Sequence, residues 1–299
     1  MSSRTLQSVI PSQDTSDGAG VKLRRSLGSR QTLRHDPFLM LDEFYSDNPD
    51  DYIAGFPSHP HRGFETVTYM LDGHMQHQDN FGNTGDLGPG SVQWMTAAHG
   101  IIHSEMPKQS EGRMRGFQLW LNLPAAEKMK PASYRDIRAD QIPTVSLERG
   151  VQVKVIAGTL AHGTGSTSGP VNNPADRRST DPSYFDVILP AGASFESAVH
   201  PGHNAFLYAY EGEATVGDDN KPLPQRAAGL LSDGDRVKIT AGSRGARVLL
   251  LAGKPLREPI VQYGPFVMNT RDEIEQALGD YQSGRLALTR EQIQQIKVM

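Results

Sequence analysis

Short apolar runs separated by turn residues recur along most of the chain. Runs rich in Val, Ile, Leu, Phe and Tyr are bounded by Gly, Pro, Asn and Asp, and they read FETVTYML, SVQWM, FQLWLNL, VQVKVIAG, YFDVILP, AFLYAYEG and RVLLLAG. β-Branched and aromatic residues favour strands, and turn signals at this spacing are typical of a β-sandwich or barrel. The pattern therefore predicts an all-β fold.

Helical patterning is found mainly near the end of the chain. In the segment NTRDEIEQALGDY, Thr270 and Glu273 have the spacing of a capping box. The apolar positions that follow at helical spacing are Ile274, Ala277, Leu278 and Tyr281. A second short helix is predicted after Thr289. Residues 163–182 are rich in Gly, Ser, Thr, Asn and Pro, and this composition predicts a loop rather than a strand.

The two halves of the chain carry similar segments. SHPHRGFETVTYMLDGHM in the first half parallels VHPGHNAFLYAYEGEATV in the second, and each is followed by a turn rich in Gly and Asp. Two copies of one β-domain account for the length of 299 residues. We place the first domain at residues 1–135 and the second at residues 136–299.

Composition limits the classes of partner and of metal ligand that the chain can use. The net charge is −4 and no basic block is present, so direct contact with nucleic acid is not expected. The chain has no Cys, which excludes disulfides and thiolate metal sites and leaves His and carboxylates as the strong ligands. No run of eighteen apolar residues and no signal-peptide pattern is present, so we expect a cytoplasmic protein without a membrane span.

Two pairs of residues have the spacing of a metal site. His59 and His61 are two residues apart, and so are His103 and Glu105. Because alternate residues of a strand share one face, each pair can point at one ion, and neighbouring strands can bring the pairs together. Three imidazoles and one carboxylate suit a borderline divalent metal and leave a coordination position open.

The residues alone leave alternatives open. A single His-x-His pair is often only a polar surface feature. Glu65 has the same parity as His61 and could supply the carboxylate instead of Glu105, and His99 could replace His103. We interpret His74, His77 and Asp79, which follow the first strand, as an exposed loop, with the alternative that they line the mouth of the pocket.

The second half lacks the spacing of the first. In the second copy of the repeated segment the histidines, His200 and His203, are three residues apart and would lie on opposite faces of a strand. We expect them to be ordinary loop or strand residues and the second domain to be free of metal.

Longer stretches resemble a known family. DPFLMLDEF, FPSHPHRGFETVTYMLDG, GDLGPGSVQWMTAAHGIIHSEMP, FQLWLNLP and LAGKPLREPIVQYGPFVMNT are similar to sequences of the pirins, a two-domain branch of the cupin superfamily. The resemblance implies two jelly-roll β-barrel cupin domains packed together, with short C-terminal helices. It also implies one metal site in the first domain, with His59, His61, His103 and Glu105 as ligands, which decides against Glu65.

The same resemblance implies a function. The expected activity is a quercetin 2,3-dioxygenase that cleaves a flavonol with O2 and releases CO, with Glu105 as the general base. The expected cofactor is one divalent metal, Fe(II) first, with Zn, Co, Ni, Cu or Mn as alternatives. The partners are then a small aromatic substrate and O2, and the chain is expected to be a monomer.

The dioxygenase has two alternatives. The first is a non-enzymatic, metal- or redox-sensing pirin that regulates a transcription factor or a metabolic enzyme through protein contacts. A bicupin acting on an unrelated small substrate ranks third. His99 stands where relatives often carry Arg or a small residue, and it could add a titratable group at the edge of the pocket.

Overall fold

The computed structural model describes residues 2–30, 32–287 and 292. Within these residues β-strands are the dominant regular structure, which confirms the all-β prediction. The second helix predicted after Thr289 falls almost wholly outside the described residues and stays a prediction. None of the helices in the described part of the chain is long and apolar enough to span a membrane.

The described residues of the first half of the chain form strands of four to nine residues. They are β1 (Leu6–Pro11), β2 (Gln13–Asp17), β3 (Val21–Arg25), β4 (Phe38–Ser46), β5 (Phe56–His61), β6 (Phe64–Asp72), β7 (Met75–Asp79), β8 (Thr84–Leu87), β9 (Val92–Thr96), β10 (Ile101–Pro107), β11 (Met114–Asn122) and β12 (Ser133–Ile137).

The second half adds a similar set of strands and one α-helix. These elements are β13 (Thr144–Ser146), β14 (Gln152–Ala157), β15 (Thr159–His162), β16 (Gly165–Ser168), β17 (Ser183–Leu189), β18 (Ser194–Ala198), β19 (Asn204–Val216), β20 (Lys221–Leu223), β21 (Ala227–Leu231), β22 (Arg236–Gly253), β23 (Val261–Tyr263), β24 (Phe266–Met268) and α1 (Arg271–Gln282). Short 3₁₀ turns occupy Pro49–Asp51, Ala125–Glu127, Ala139–Gln141 and Glu148–Gly150.

The apolar runs of the sequence coincide with strands. All seven lie in β6, β9, β11, β14, β17, β19 and β22. The loop predicted over residues 163–182 is wrong in part, because β16 pairs with β15 there. Gly163, at φ 52°, makes the tight turn between them, and the hydroxyls of Thr159 and Ser168 lie 2.8 Å apart across the hairpin. Polar Ser and Thr side chains suit an exposed two-stranded hairpin as well as a loop.

The chain folds into two compact units that are discontinuous in sequence. We call the first the amino-terminal unit; it comprises Asp14–Arg24, Met40–Ala139 and the chain from Leu256 onward. The second, the carboxy-terminal unit, comprises the chain up to Gln13, Arg25–Leu39 and Asp140–Pro255. Each unit therefore takes a segment from the far end of the chain. The predicted division at residues 135 and 136 stays a prediction.

Among its described residues, the amino-terminal unit contains two larger sheets and the small two-stranded sheet β23-β24. One has the strand order β12-β9-β6-β11-β4-β3-β2, and the other has the order β5-β10-β7-β8. Both faces of β6 are buried, and its central residues Val67, Tyr69 and Met70 are fully inaccessible to solvent. The four-stranded sheet carries both of the residue pairs singled out in the sequence, on the adjacent strands β5 and β10.

Helix α1 packs within the amino-terminal unit and confirms the predicted capping box. The Thr270 hydroxyl accepts a hydrogen bond from the Glu273 amide at 3.2 Å, and the Glu273 carboxylate accepts one from the Thr270 amide at 2.8 Å. The helix buries Ile274 and Ala277 beside β24, whereas Tyr281 at its end is 41% exposed. The apolar face of the helix is therefore shorter than the sequence pattern predicts.

The carboxy-terminal unit is organised around one large sheet. Its strand order is β1-β21-β19-β22-β17-β14-β13, with β18 and β20 paired to β22 and β19. β1 belongs here because it pairs with β21. The interior of this unit is an apolar cluster to which β22 contributes Val237, Ile239 and Ala241.

Candidate metal centre

Antiparallel pairing of β5 with β10 brings three histidines together. His103 lies opposite His59 in the ladder, and His61 shares the face of His59 as expected from the strand period. The Nε2 atoms of His59 and His61 are 3.0 Å apart, and the His103 ring centroid lies 4.4 Å and 4.9 Å from theirs. One ring nitrogen from each residue falls within 4.8 Å of the others. We call these residues the three-histidine cluster.

The hydrogen bonds of two rings show which nitrogens are left for a ligand. The Nδ1 of His59 is 2.8 Å from the carbonyl oxygen of Pro57. A carbonyl can only accept, so this Nδ1 carries the hydrogen and the lone pair of the neutral ring is on Nε2. The Nδ1 of His103 is occupied by a second imidazole, and its Nε2 is buried without a protein partner.

The electrostatics of the cluster favour a cation. Burial lowers the pKa of His61 well below its usual range, and the neighbouring His59 lowers it further. Burial and then the nearby histidines do the same to the pKa of His103. Both rings are therefore neutral near pH 7 and offer lone pairs at close range. Neutral imidazoles with an unpartnered buried nitrogen fit a divalent transition metal.

Glu105 lies beside the cluster but is held by other residues. It is 2% exposed and lies two residues after His103, beyond a shift in the β10–β5 register. Its Oε1 accepts a hydrogen bond from the Thr68 hydroxyl at 3.0 Å, and its Oε2 accepts one from Gln118 Nε2 at 2.9 Å. In the described part of the chain, the compact group that could hold a metal ion consists of the three histidines and does not include Glu105. Its role as a ligand stays a prediction.

An ordered chain of donors fixes the Glu105 carboxylate. Trp120 Nε1 donates to Gln118 Oε1 at 3.1 Å, so the amide nitrogen of Gln118 must face Glu105. The Trp120 ring in turn lies 4.3 Å from Phe64 and 5.4 Å from His61, measured between ring centroids. The site is thus bounded on this side by aromatic rings, which limit movement of the carboxylate.

The alternative ligands named from the sequence lie elsewhere. Glu65 is on β6, one strand beyond His61, and has the opposite parity to Thr68; its carboxylate accepts a hydrogen bond from Thr96 at 2.6 Å. His99 lies in the turn before β10, and its carbonyl accepts a hydrogen bond from the Arg62 guanidinium. Burial first, then Arg62, lowers the pKa of His99, but its side chain is not part of the three-histidine cluster.

His77 is the residue that the sequence analysis missed. The interpretation of His74, His77 and Asp79 as an exposed loop is wrong for His77, which is fully buried on β7, and for Asp79, which ends the same strand and is half-buried. Its Nδ1 lies 3.1 Å from the Nδ1 of His103. The available signal was the alternation in MQHQD, where His77 shares the parity of the apolar Met75. His74 is exposed, as predicted.

The histidines of the second half form no comparable group. His200 and His203 lie between β18 and β19 with their rings stacked at 4.5 Å between centroids, and His203 Nε2 is 3.6 Å from an oxygen of Asp181. Both residues lie in the loop between the two strands, and the absence of metal from this unit stays a prediction.

Known proteins of similar sequence share one family. The family model described as Pirin matches residues 20–121, and the one described as Pirin C-terminal cupin domain matches residues 184–287. A Pseudomonas aeruginosa protein provisionally named quercetin 2,3-dioxygenase is 57% identical over 274 residues, which are 91% of this chain and 94% of that protein. A pirin-like protein of Caulobacter vibrioides is 50% identical, over 94% of this chain and 99% of its own.

Solved structures give the same result. A crystal structure of quercetin 2,3-dioxygenase from Acinetobacter baumannii matches with a TM-score of 0.84 and 33% identity, covering 95% of this chain and 99% of that one. The likeness therefore extends over both halves of the chain and includes the strands that carry the three-histidine cluster.

Proposed function

The chain belongs to the pirin family, with its two cupin domains, and from this premise we propose that it is a metal-dependent dioxygenase acting on a flavonol such as quercetin. The proposed reaction is the 2,3-dioxygenation of the flavonol, with ring cleavage and release of CO. The observation that carries the proposal is the cluster of half-buried His59 with buried His61 and His103, with the buried carboxylate of Glu105 beside it.

The residues proposed to hold the metal are His59, His61, His103 and Glu105. We propose Fe(II), with Zn, Co, Ni, Cu or Mn as alternatives that the same donors accept. When bound, the ion would supply Lewis acidity toward the flavonol oxygens and the redox capacity needed for O2. Neutral His61 and His103 support this assignment, because metal binding does not first require the loss of a proton from either ring.

Glu105 is proposed as the base that takes the proton of the flavonol 3-hydroxyl. A general base must lie within hydrogen-bond reach of that proton in a fixed orientation. The donors on Thr68 and Gln118 support this role because they hold each carboxylate oxygen and leave further lone pairs for a substrate proton. The flat rings of Phe64 and Trp120 beside the cluster support an aromatic substrate.

The test is a coupled metal and oxygen assay. Protein purified anaerobically is analysed for metal, loaded with Fe(II), and mixed with quercetin while O2 uptake and the flavonol absorption band are followed. We expect O2 uptake with loss of the band, and neither in Glu105→Ala because the base is gone. Glu65→Ala is the matched control, since that carboxylate bonds to Thr96 instead. Full activity in Glu105→Ala with loss in Glu65→Ala would reverse the assignment of the base.

A second function is favoured by one observation about the same carboxylate. Both oxygens of Glu105 already accept hydrogen bonds from Thr68 and Gln118, which also suits a site that holds metal without turning over a substrate. In that case the protein is a metal- or redox-sensing pirin that regulates a protein partner. One tightly bound metal per chain without consumption of quercetin or O2 would support this function over the dioxygenase.

A further inference from the structure

We propose that His77 is a positioning residue that fixes the tautomer and the ring orientation of His103 in the metal centre. This inference rests on the proposed metal site and adds to it a fourth buried histidine that binds no metal itself. His77 and His103 lie on the adjacent strands β7 and β10, with His77 directly opposite Glu105 in the ladder. Their rings contact each other at 4.9 Å between centroids.

The contact between the two rings constrains their hydrogens. The Nδ1 atoms are 3.1 Å apart, so one of them must donate a hydrogen and the other must accept it. The Nε2 atoms of both rings are buried without a protein partner. Each neutral ring has one hydrogen to place, and the shared contact therefore couples the two tautomers.

Only one arrangement of these hydrogens serves a metal. A lone pair on His103 Nε2 requires the His103 hydrogen on Nδ1, from which it is donated to Nδ1 of His77. The His77 hydrogen then lies on Nε2. In the opposite arrangement His103 Nε2 would carry a hydrogen and could not be a ligand. By accepting this hydrogen, His77 holds His103 in the ligating tautomer when a metal occupies His103 Nε2.

The surroundings hold His77 in this position. β7 pairs with β10 on one side and with β8 on the other, where Gly85 lies opposite His77. The His77 ring also packs at 5.4 Å between centroids against Tyr134, at an interplanar angle of 45°. Ligating histidines usually donate to a carboxylate, a carbonyl or water. Here the acceptor is an uncharged imidazole, which orients the ligand without adding negative charge.

The test compares substitutions that keep or move the acceptor. His77→Asn places an amide oxygen near the position of Nδ1, His77→Gln carries it further out, and His77→Phe removes it while keeping a ring. The control is His74→Phe, the same change at an exposed histidine on the preceding turn. Binding of Co(II) is measured by competition with a chelator, and the visible ligand-field spectrum of the Co(II) protein reports the geometry of the site.

We expect His77→Phe and His77→Gln to weaken Co(II) binding by about 10- to 100-fold and to change the spectrum, as is typical when the partner of a ligand is lost. His77→Asn and His74→Phe should retain wild-type affinity and spectrum. If His77→Phe does not fold, the comparison of Asn with Gln still decides the matter.

Equal affinities and spectra for the Asn and Gln variants would overturn the inference, because His77 would then act only through packing. Wild-type binding in His77→Phe would overturn it as well. A wild-type protein that binds no Co(II) would instead contradict the proposed metal centre, so the two failures are distinguishable.

Discussion

The interiors of the two units differ although both are built from antiparallel strands of similar sequence. In the amino-terminal unit, β5, β7 and β10 turn His61, His77, His103 and Glu105 inward, and all four are 2% exposed or less. The interior of the carboxy-terminal unit is an apolar cluster of Val, Leu, Ile, Phe and Ala. The first interior gathers potential metal ligands, whereas the second is dominated by apolar side chains that stabilise the unit. Site chemistry therefore depends on a few inward positions rather than on the fold.

The two similar segments that contain His59 and His61 in one unit and His200 and His203 in the other show how the difference between the interiors arises. His59 and His61 are separated by one residue and stay on β5. In the second copy, Gly202 and Pro201 separate His200 from His203, Gly202 has φ 80°, and the His203 amide donates to the His200 carbonyl at 3.1 Å. One extra residue converts a strand into a turn. The two histidines then no longer share a strand face.

The largest expected effect is the loss of metal affinity when a histidine of the three-histidine cluster is removed. His61→Ala should reduce Fe(II) or Co(II) affinity by more than the roughly 100-fold upper range for a lost outer partner, because a ligand itself is removed. O2 consumption with quercetin should vanish with it. Chelator competition gives the affinity and an oxygen electrode gives the turnover. His203→Ala, the counterpart in the second copy, should change neither quantity.

Retention of wild-type metal affinity by His61→Ala would contradict the cluster as the metal site. Loss of metal in His203→Ala, in a protein that still folds, would show that the two units do not divide chemistry and stability as the contrast between their interiors indicates.

The next largest effect concerns the free energy of unfolding and a substitution in the apolar cluster of the carboxy-terminal unit. Leu207 is fully buried in the apolar cluster of the carboxy-terminal unit. Leu207→Ala should lower the free energy of unfolding by about 2–5 kcal/mol through lost burial and the cavity left behind. Urea unfolding followed by circular dichroism measures this. Metal affinity at 25 °C should stay unchanged, and a shift in affinity would show that the apolar interior also shapes the metal centre.

The sequence predicts the metal-centre histidines because local geometry determines their relation. His59 and His61 share a face in any extended strand, and the same holds for His103 and Glu105. The strands themselves follow from β-branched and aromatic runs. Residue spacing no longer predicts which side chains share a face once a turn lies between them. Between His61 and Glu65 the chain leaves β5, turns at Gly63 and enters β6, so counting residues gives no information about shared faces.

Long-range relations are the part that the sequence does not predict. The burial of His77 depends on β7 pairing with β8 and β10, and a polar strand flanked by Gln looks like a surface loop by composition. The donors of Glu105 come from β6 and β11, far from it in sequence. The exchange of terminal segments between the units depends equally on non-local pairing, such as that of β1 with β21.

Each of these exchanged segments is held by a buried cation, and the two cations differ in chemistry. In the carboxy-terminal unit, Arg4 donates to the carbonyls of Ser232 and His200, each at 3.0 Å, and lies 3.6 Å from Asp233. In the amino-terminal unit, Lys128 Nζ donates to three oxygens. They are the Gly63 carbonyl at 2.6 Å, the Asn122 side chain at 2.6 Å and the Val267 carbonyl at 3.0 Å. A guanidinium keeps its charge at any working pH, whereas a buried ammonium does not.

The smallest expected effect is therefore a pH dependence that only the amino-terminal cation produces. Burial lowers the pKa of Lys128 from 10.5 to about 8. Between these values the unfolded chain binds more protons than the folded one, so the free energy of unfolding rises with pH in this window. The contribution is at most about 2 kcal/mol between pH 7 and 9.5, from 1.36 kcal/mol per pKa unit. Urea unfolding at several pH values measures this contribution as the free energy of unfolding of the wild type minus that of Lys128→Met. The difference for Arg4→Met should stay flat, because a guanidinium keeps its charge over this pH range. A slope for Arg4→Met equal to that for Lys128→Met would show that the pH dependence does not come from the buried ammonium.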